Sequence, residues 1–207
     1  MKKLFSSDNP IMKALSIAAD LLILNLLTMV LSVPLVTMGA AVTAMHDIVI
    51  RIVRGEEGYT VKPYFHAFAV NFKKGTLLGL ILLAAAAVLY FDYRAAQTYI
   101  PEMKAGIIAI GVIVLAISFY AFAMLARYEN TFGKTLKNAL ILTIGNFPRT
   151  LLMVVAAVGM WVACLNFTQF GIPILLLFGL SLPCYVNCLL INGVFRKLDG
   201  ETEQEKS

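Results

Sequence analysis

Long apolar runs separated by short basic segments dominate the chain. A helix needs about 20 apolar residues to cross a bilayer, and four uncharged or nearly uncharged runs approach or exceed that length. The longest, residues 150–195, is about twice the length of one span, and Asn166 to Pro173 near its middle favour a turn. The pattern predicts five helical spans. Residues 35–53, an apolar run with a charged end, are a candidate sixth.

The distribution of lysine and arginine favours six spans over five. If Pro34 breaks a helical hairpin and residues 35–53 return as a short span, only Arg94 and Lys104 of the 17 basic residues lie outside the cytoplasm. Five spans would instead place the basic N-terminus outside. We therefore predict an all-α, polytopic membrane helix bundle with both termini cytoplasmic. The predicted spans are residues 14–33, 35–53, 75–93, 105–126, 150–167 and 172–194.

The composition supports an integral membrane protein. Apolar residues make up 60% of the chain and charged residues 14%, whereas about a quarter of a soluble domain is charged. This excludes a soluble enzyme, a disordered tail and a nucleic-acid-binding protein, and it makes the lipid bilayer the first partner. We expect one transmembrane domain over residues 1–197 and a charged cytoplasmic tail over 198–207. A cleaved signal peptide is the weaker interpretation of the N-terminus, because no small-residue cleavage site precedes a polar segment.

Two polar residues interrupt the first apolar run. Asp20 lies about a third of the way into this run, and Asn25 follows five residues later, on a different side of a helix. We expect Asp20 to bond a neighbouring helix or a basic loop near the cytoplasmic interface, and Asn25 to link helices. A contact with an ion or solute is the alternative for both residues.

A stretch of small residues follows Pro34. Proline removes a backbone donor, and Gly39 is followed by alanines that allow a neighbouring backbone to approach closely. We expect tight helix packing here. The alternative is a broken helix that offers backbone dipoles to a substrate, as in many transporters.

Charged residues gather at the end of the second predicted span. Asp47, Arg51 and Arg54 share one helix face, and Glu56 follows a glycine that ends the helix. We expect a salt-bridged collar at the membrane surface. A docking surface for a cytoplasmic or membrane partner is the functional alternative.

Two segments between spans resemble each other. Asn71 and Lys73 lie at the entry to one span, Asn146 and Arg149 lie at the entry to another, and each pair follows an aromatic, basic stretch. Such a stretch is typical of an amphipathic helix in the headgroup layer that turns into the bilayer at the basic residues. The alternative is that both loops simply end in basic anchors.

Signatures of catalysis and metal binding are absent from the sequence. There is no glycine-rich phosphate loop, no G-x-S-x-G and no H-E-x-x-H motif, so we expect no enzyme and no cofactor. Cys184 and Cys188 share a helix face, and Cys164 lies one span away. Because no histidine is near them in the sequence, they are predicted to be buried small hydrophobic residues and not metal ligands.

Short motifs occur in a characteristic order along most of the chain. They are Asn9-Pro10, Asp20 to Asn25, Ser32 to Ala44, Arg54 to Glu57, Phe65, Phe68, Asn71 to Lys73, Leu136 to Ala139 and Pro148 to Thr150. Their order and spacing resemble the bacterial YesL-like proteins, a family of unknown function (DUF624). The resemblance implies an integral protein of the bacterial cell membrane, often encoded near carbohydrate-uptake and sugar-sensing genes, without an established activity.

Two functional hypotheses follow. The first is an accessory or scaffold protein that assembles with a membrane transporter or sensor complex in carbohydrate uptake or sensing. The second is a small-solute transporter, which would rely on Asp20, Asn25 and Pro34. Ion-coupled transport needs several ionisable residues inside the membrane, and the apolar runs contain few. We therefore expect the first function.

Overall fold

The chain folds into helices throughout the part that the computed structural model describes, which comprises residues 10–56, 58–166 and 171–204. No strand occurs in these ranges, and the all-α prediction is confirmed. Lys2 and Lys3, the middle of the turn predicted between Asn166 and Pro173, and the end of the tail lie outside them. The α-helices are α1 Pro10–Leu31, α2 Met38–Arg54, α3 Val61–Thr98, α4 Lys104–Arg127, α5 Phe132–Gly145, α6 Phe147–Asn166, α7 Gly171–Phe178 and α8 Ser181–Gln204, with a 3-10 turn Pro101–Met103 before α4.

Four segments are long and apolar enough to cross a membrane. They are Ile11–Leu31, Val61–Thr98, Pro101–Arg127 and Phe147–Asn166. Helix α2 has 17 residues, so it rises only about 26 Å, which is less than the roughly 30 Å hydrocarbon core. The membrane-protein prediction fits these helices, and the count of six spans stays a prediction.

Helices α1 and α2 form a tight hairpin around Pro34. Helix α1 ends at Leu31, and α2 begins at Met38. The hydroxyl of Thr37 donates to the carbonyl oxygens of Leu31 and Pro34, which satisfies acceptors that the end of α1 leaves open. Pro34 therefore lies in the connection, as the predicted hairpin requires.

Helix α2 is the centre of the bundle. Ten of its 17 residues are buried, and it contacts α1, α3, α4 and α8. Small residues such as Ala40, Ala41 and Ala44, all fully buried, allow these four neighbours to approach closely. The least certain of the predicted spans is thus the element around which the others pack.

The segment predicted as the last span, residues 172–194, is not one continuous helix, and the span itself stays a prediction. Helix α7 ends at Phe178 and α8 begins at Ser181, so Gly179 and Leu180 interrupt the segment. A Cβ on Gly179 would overlap the carbonyl oxygen of Leu175, which explains why glycine occupies this bend. Pro183 lies in the first turn of α8, where its missing N–H removes no helical hydrogen bond.

The two segments predicted to resemble each other differ in their backbones. Helix α3 continues without a break through Asn71 and Lys73, so the turn predicted at these residues does not form. Its 38 residues extend for about 57 Å. By contrast, Asn146 separates α5 from α6, and its amide donates to the Leu142 carbonyl at 3.3 Å. The resemblance is confined to sequence and does not extend to helix geometry.

Candidate functional site

Asn25 joins α1 to the interruption between α7 and α8. Its side-chain amide donates to the carbonyl oxygen of Leu176 at 2.8 Å, and its Oδ1 accepts from the backbone N–H groups of Leu180 at 2.8 Å and Ser181 at 3.1 Å. Asn25 is fully buried. A helix break leaves backbone groups without partners, and inside a membrane water cannot replace them. We call these four residues the Asn25 junction.

Tyr64 connects three helices. Its hydroxyl donates to the carbonyl oxygen of Ala41 in α2 at 3.3 Å and accepts from the hydroxyl of Thr28 in α1 at 3.1 Å. The Tyr64 side chain is fully buried, and both bonds satisfy a phenol that would otherwise be costly to bury. These contacts fix the start of α3 against the α1–α2 hairpin.

Asp20 and Asn25 lie in different environments. The hydroxyl of Thr60, just before α3, donates to the carboxylate of Asp20. Asp20 therefore lies at the level where α3 begins, beside the loop that follows α2, and it is partly exposed. Asp20 and Asn25 bond different residues, so they do not form one site.

Gly39 brings the backbones of α2 and α3 together. A Cβ on Gly39 would overlap the carbonyl oxygen of Gly75 and lie 2.7 Å from the Cα of Gly79. A Cβ on Gly79 would lie 2.6 Å from the Cα of Gly39. Gly75 and Gly79 have the spacing of the G-x-x-x-G motif, which supports close helix packing in membranes. We call these three residues the glycine contact.

An ion pair lies near the charged end of α2. Arg51 contacts Asp47 at 3.0 Å. The backbone N–H of Gly55, which has a φ of 74°, and that of Glu56 bond the last carbonyls of α2, so glycine ends the helix in the left-handed conformation. Arg54 and Glu56 are exposed. The structure places these groups at one accessible helix end.

The four residues of the predicted repeat do not meet. Asn71 donates to the carbonyl of Ala67 in its own helix at 3.1 Å, and Lys73 is exposed. The guanidinium of Arg149 is close to Gly193 of α8, where a Cβ would lie 3.8 Å from Nη1. Asn71 and Asn146 therefore bond carbonyls one turn earlier in the chain, whereas Arg149 lies between α6 and α8.

The structure brings together three side chains that the sequence separates. His46 of α2 lies beside Cys184 and Cys188 of α8, and the potential ligand atoms of the three are all within 4.8 Å of one another. No histidine is near these cysteines in the sequence, but the fold places one beside them, so the inference made from their spacing does not hold. Residues about 140 positions apart gave no local spacing signal, because the contact depends on how α2 packs against α8. We call these residues the His–Cys cluster.

A cleft of about 560 Å³ opens between α2, α3 and α4. Apolar side chains dominate its walls, with a few polar groups such as Ser118 and Tyr93. Its wall includes the start of α2 at Gly39, beside the glycine contact. A cleft of this chemistry suits an apolar chain or helix better than a hydrated solute.

Comparisons with known proteins identify the family of the chain. The profile of a family described as "Protein of unknown function, DUF624" matches residues 21–93, a range that includes Asn25, Gly39, His46 and the charged end of α2. The "Uncharacterized protein YesL" of Bacillus subtilis (strain 168) is 31% identical over 156 residues, which cover 73% of each chain. No solved structure gives a significant match. The chain therefore belongs to the YesL-like DUF624 family.

Proposed function

We propose that the protein is an accessory or scaffold subunit of the bacterial cell membrane, which binds another integral membrane protein and carries no solute itself. It crosses the membrane six times with both termini in the cytoplasm. The family resemblance directs the search for its partner towards carbohydrate-uptake and sensing complexes.

One observation carries this proposal: several buried polar side chains bond other helices, while the cleft is mainly apolar. Asn25 bonds the α7–α8 interruption, Tyr64 bonds α1 and α2, and Thr150 of α6 donates to the hydroxyl of Tyr120 of α4 at 3.3 Å. Polar side chains that bond neighbouring helices hold the bundle together, as a scaffold protein requires. A hydrated solute would find few polar groups in the cleft.

The outer parts of α3 and α4 supply a surface for a partner. Leu83, Val88 and Ile108 are exposed there, and Leu83 and Ile108 also line the cleft. Within the bilayer such residues face lipid or another transmembrane helix. A partner helix that fills the cleft would add van der Waals contacts that lipid tails make less well.

A transporter is the second candidate, and the interruption between α7 and α8 favours it. Discontinuous helices form substrate sites in many transporters. Here, however, Asn25 already occupies the backbone groups at the start of α8. Transport would therefore require this junction to open.

Photo-crosslinking from the cleft tests the accessory function. A photoreactive amino acid at Leu83 in the full chain, expressed in its own membrane, should form an adduct with one integral membrane protein. The matched position Val155, exposed on α6, should not form this adduct. Crosslinking in the reverse direction, from the partner's transmembrane segment, should capture this chain. Adducts with lipid alone, or equal adducts from both positions, would contradict the proposal.

Flux measurements separate the two candidates. Purified protein in vesicles should take up labelled sugars no faster than empty vesicles. Uptake by the wild-type protein that is lost in Asn25→Leu, with retained insertion and size, would favour the transporter instead.

Cysteine labelling tests the topology. Glu56→Cys precedes α3, and Glu102→Cys follows it, so the two positions lie on opposite sides if α3 crosses the bilayer. An impermeant maleimide should label Glu102→Cys in intact cells and Glu56→Cys only after permeabilisation, with the unsubstituted chain as background. Labelling of Glu56→Cys in intact cells would overturn the proposed orientation.

A further inference from the structure

The His–Cys cluster has the donor atoms of a metal site. Cys184 and Cys188 are one helical turn apart on α8, and His46 reaches them from α2. Each of the three side chains is at most 4% exposed. Thiolate sulfur and imidazole nitrogen are the ligands that zinc prefers in proteins.

The histidine ring is held in the orientation of a metal ligand. Its Nδ1 lies 2.9 Å from the carbonyl oxygen of Val42, and because a carbonyl only accepts, the proton is on Nδ1. The ring also stacks on Phe122, with centroids 5.8 Å apart. Metal-binding histidines commonly donate one N–H to a carbonyl in this way, which leaves the other nitrogen free to bind.

The second ring nitrogen has no partner among the described residues. Nε2 of His46 is buried and makes no hydrogen bond with any residue that the structure describes. A buried lone pair without a donor is costly in a protein interior and more so in a membrane. A bound cation would satisfy it. This unpaired nitrogen points to a ligand independently of the two cysteines.

The separation of the sulfur atoms fits one shared ion. The Sγ atoms of Cys184 and Cys188 are 3.9 Å apart. Two sulfurs bound to one zinc ion at about 2.3 Å lie about 3.8 Å apart at the tetrahedral angle and about 4.0 Å apart at the trigonal angle. The sulfurs therefore need little movement, and the ligand nitrogen of His46 already lies within 4.8 Å of both sulfurs.

Charge decides between the thiophilic ions. When Zn²⁺ binds, the two thiols release two protons to solvent, and two thiolates with a neutral imidazole balance the ion. The net charge of the cluster is zero before and after binding. Cu⁺ with the same two thiolates would leave a net negative charge in the bundle interior, where charge is expensive.

We propose that His46, Cys184 and Cys188 bind one Zn²⁺ ion, which links α2 to α8. The three protein ligands leave one of the four usual zinc positions for a water molecule or another donor. Bound zinc would cross-link the central helix of the bundle to the helix that follows the interruption.

Cobalt serves as the spectroscopic probe for this site. The full chain, purified in detergent under reducing conditions without metal, should bind one equivalent of Co²⁺. Binding should produce the thiolate-to-cobalt charge-transfer and intense visible bands of a near-tetrahedral sulfur site. One equivalent of Zn²⁺ should abolish these bands. The Cys188→Ala and His46→Ala variants should weaken binding at least tenfold.

Cys164→Ala is the matched control, because Cys164 lies on α6 outside the cluster. It should bind cobalt like the wild-type protein. Size-exclusion profiles show whether each variant is folded, and Cys184→Ala, which places another small apolar residue in the core, gives a second test should Cys188→Ala misfold. The proposal is overturned if the wild-type protein shows no thiolate-to-cobalt band, if Cys164→Ala reduces binding as much as Cys188→Ala, or if only Cu⁺ binds.

Discussion

The glycine contact and the Asn25 junction hold the bundle together in opposite ways. At the glycine contact, Gly39 lies directly against Gly75 and Gly79 because none of the three has a side chain. The two backbones are so close that a methyl group does not fit between them. At the Asn25 junction, one side chain supplies three hydrogen bonds to backbone groups that the helix interruption leaves open. Both contacts hold helices together in a lipid environment, where burial of apolar surface adds little to helix association.

The difference is one of tolerance. The glycine contact requires only the absence of atoms, so any larger residue disrupts it, whatever its chemistry. The Asn25 junction requires one donor and one acceptor at fixed positions, so a residue of the same volume without them disrupts it. The loss of stability should therefore depend on the size of the new side chain at the glycine contact, and on its hydrogen-bonding groups at the Asn25 junction.

The largest effect is expected for Gly39→Leu. The new side chain would meet backbone atoms of α3, which cannot rotate away, and overpacking of this kind costs about 3 kcal/mol or more. We expect aggregation or loss of the monodisperse peak in size-exclusion chromatography. The matched control is Gly159→Leu on α6, where a Cβ meets nothing within 4 Å, and it should behave like the wild-type protein. Equal behaviour of the two variants would show that the close approach is not required.

The second effect is expected for Asn25→Leu, which keeps the volume and removes the polar atoms. Three backbone groups lose their partner, and each unpaired group costs about 1–3 kcal/mol, so we expect the free energy of unfolding in detergent to fall by about 3 kcal/mol, the lower end of this sum. The control is Asn71→Leu, because the Asn71 amide bonds the Ala67 carbonyl of its own helix. A loss for Asn71→Leu as large as that for Asn25→Leu would place the effect outside the junction.

Tyr64→Phe should give an intermediate effect, because it removes one hydroxyl and no volume. The carbonyl of Ala41 and the hydroxyl of Thr28 then lose a partner, and a hydrogen bond of this kind contributes about 0.5–1.5 kcal/mol. Thermal unfolding followed by fluorescence measures the loss. Tyr90→Phe, at an exposed position, should leave stability unchanged, and a change as large as that for Tyr64→Phe would contradict the assignment.

The smallest effect is expected for Asp47→Asn. Its ion pair with Arg51 involves an arginine side chain that is 48% exposed, and pairs of this type contribute about 0–1 kcal/mol. The wild-type and Asp47→Asn proteins should therefore differ slightly at low salt and converge at high salt. A difference that persists at high salt would indicate a role beyond this ion pair.

The glycine contact could be predicted from the sequence, and the Asn25 junction could not. Pro34 and the small residues after it predicted a tight hairpin, and the G-x-x-x-G spacing of Gly75 and Gly79 marks the partner surface on α3. Asn25 was expected to link helices. Its partners, however, are backbone groups about 150 residues away that become available only because Gly179 interrupts the last helix.

The charged end of α2 and the His–Cys cluster differ in the same way. Asp47, Arg51 and Gly55 interact within one helix turn or two, so their spacing predicts their contacts. His46, Cys184 and Cys188 belong to helices at opposite ends of the sequence, and only the packing of α2 against α8 unites them. Periodicity describes which side of a helix is apolar, but it does not specify which helix lies opposite.

The distance between Asn25 and its partners has a consequence for biosynthesis. Asn25 leaves the ribosome early, whereas Leu176, its first partner, follows 151 residues later. Until then its amide rests in the bilayer without that partner, and the eight residues of α7 are too few to insert alone. The Asn25 junction therefore forms only when translation is almost complete, and a truncation before α8 would leave the Oδ1 of Asn25 without Ser181 as a partner.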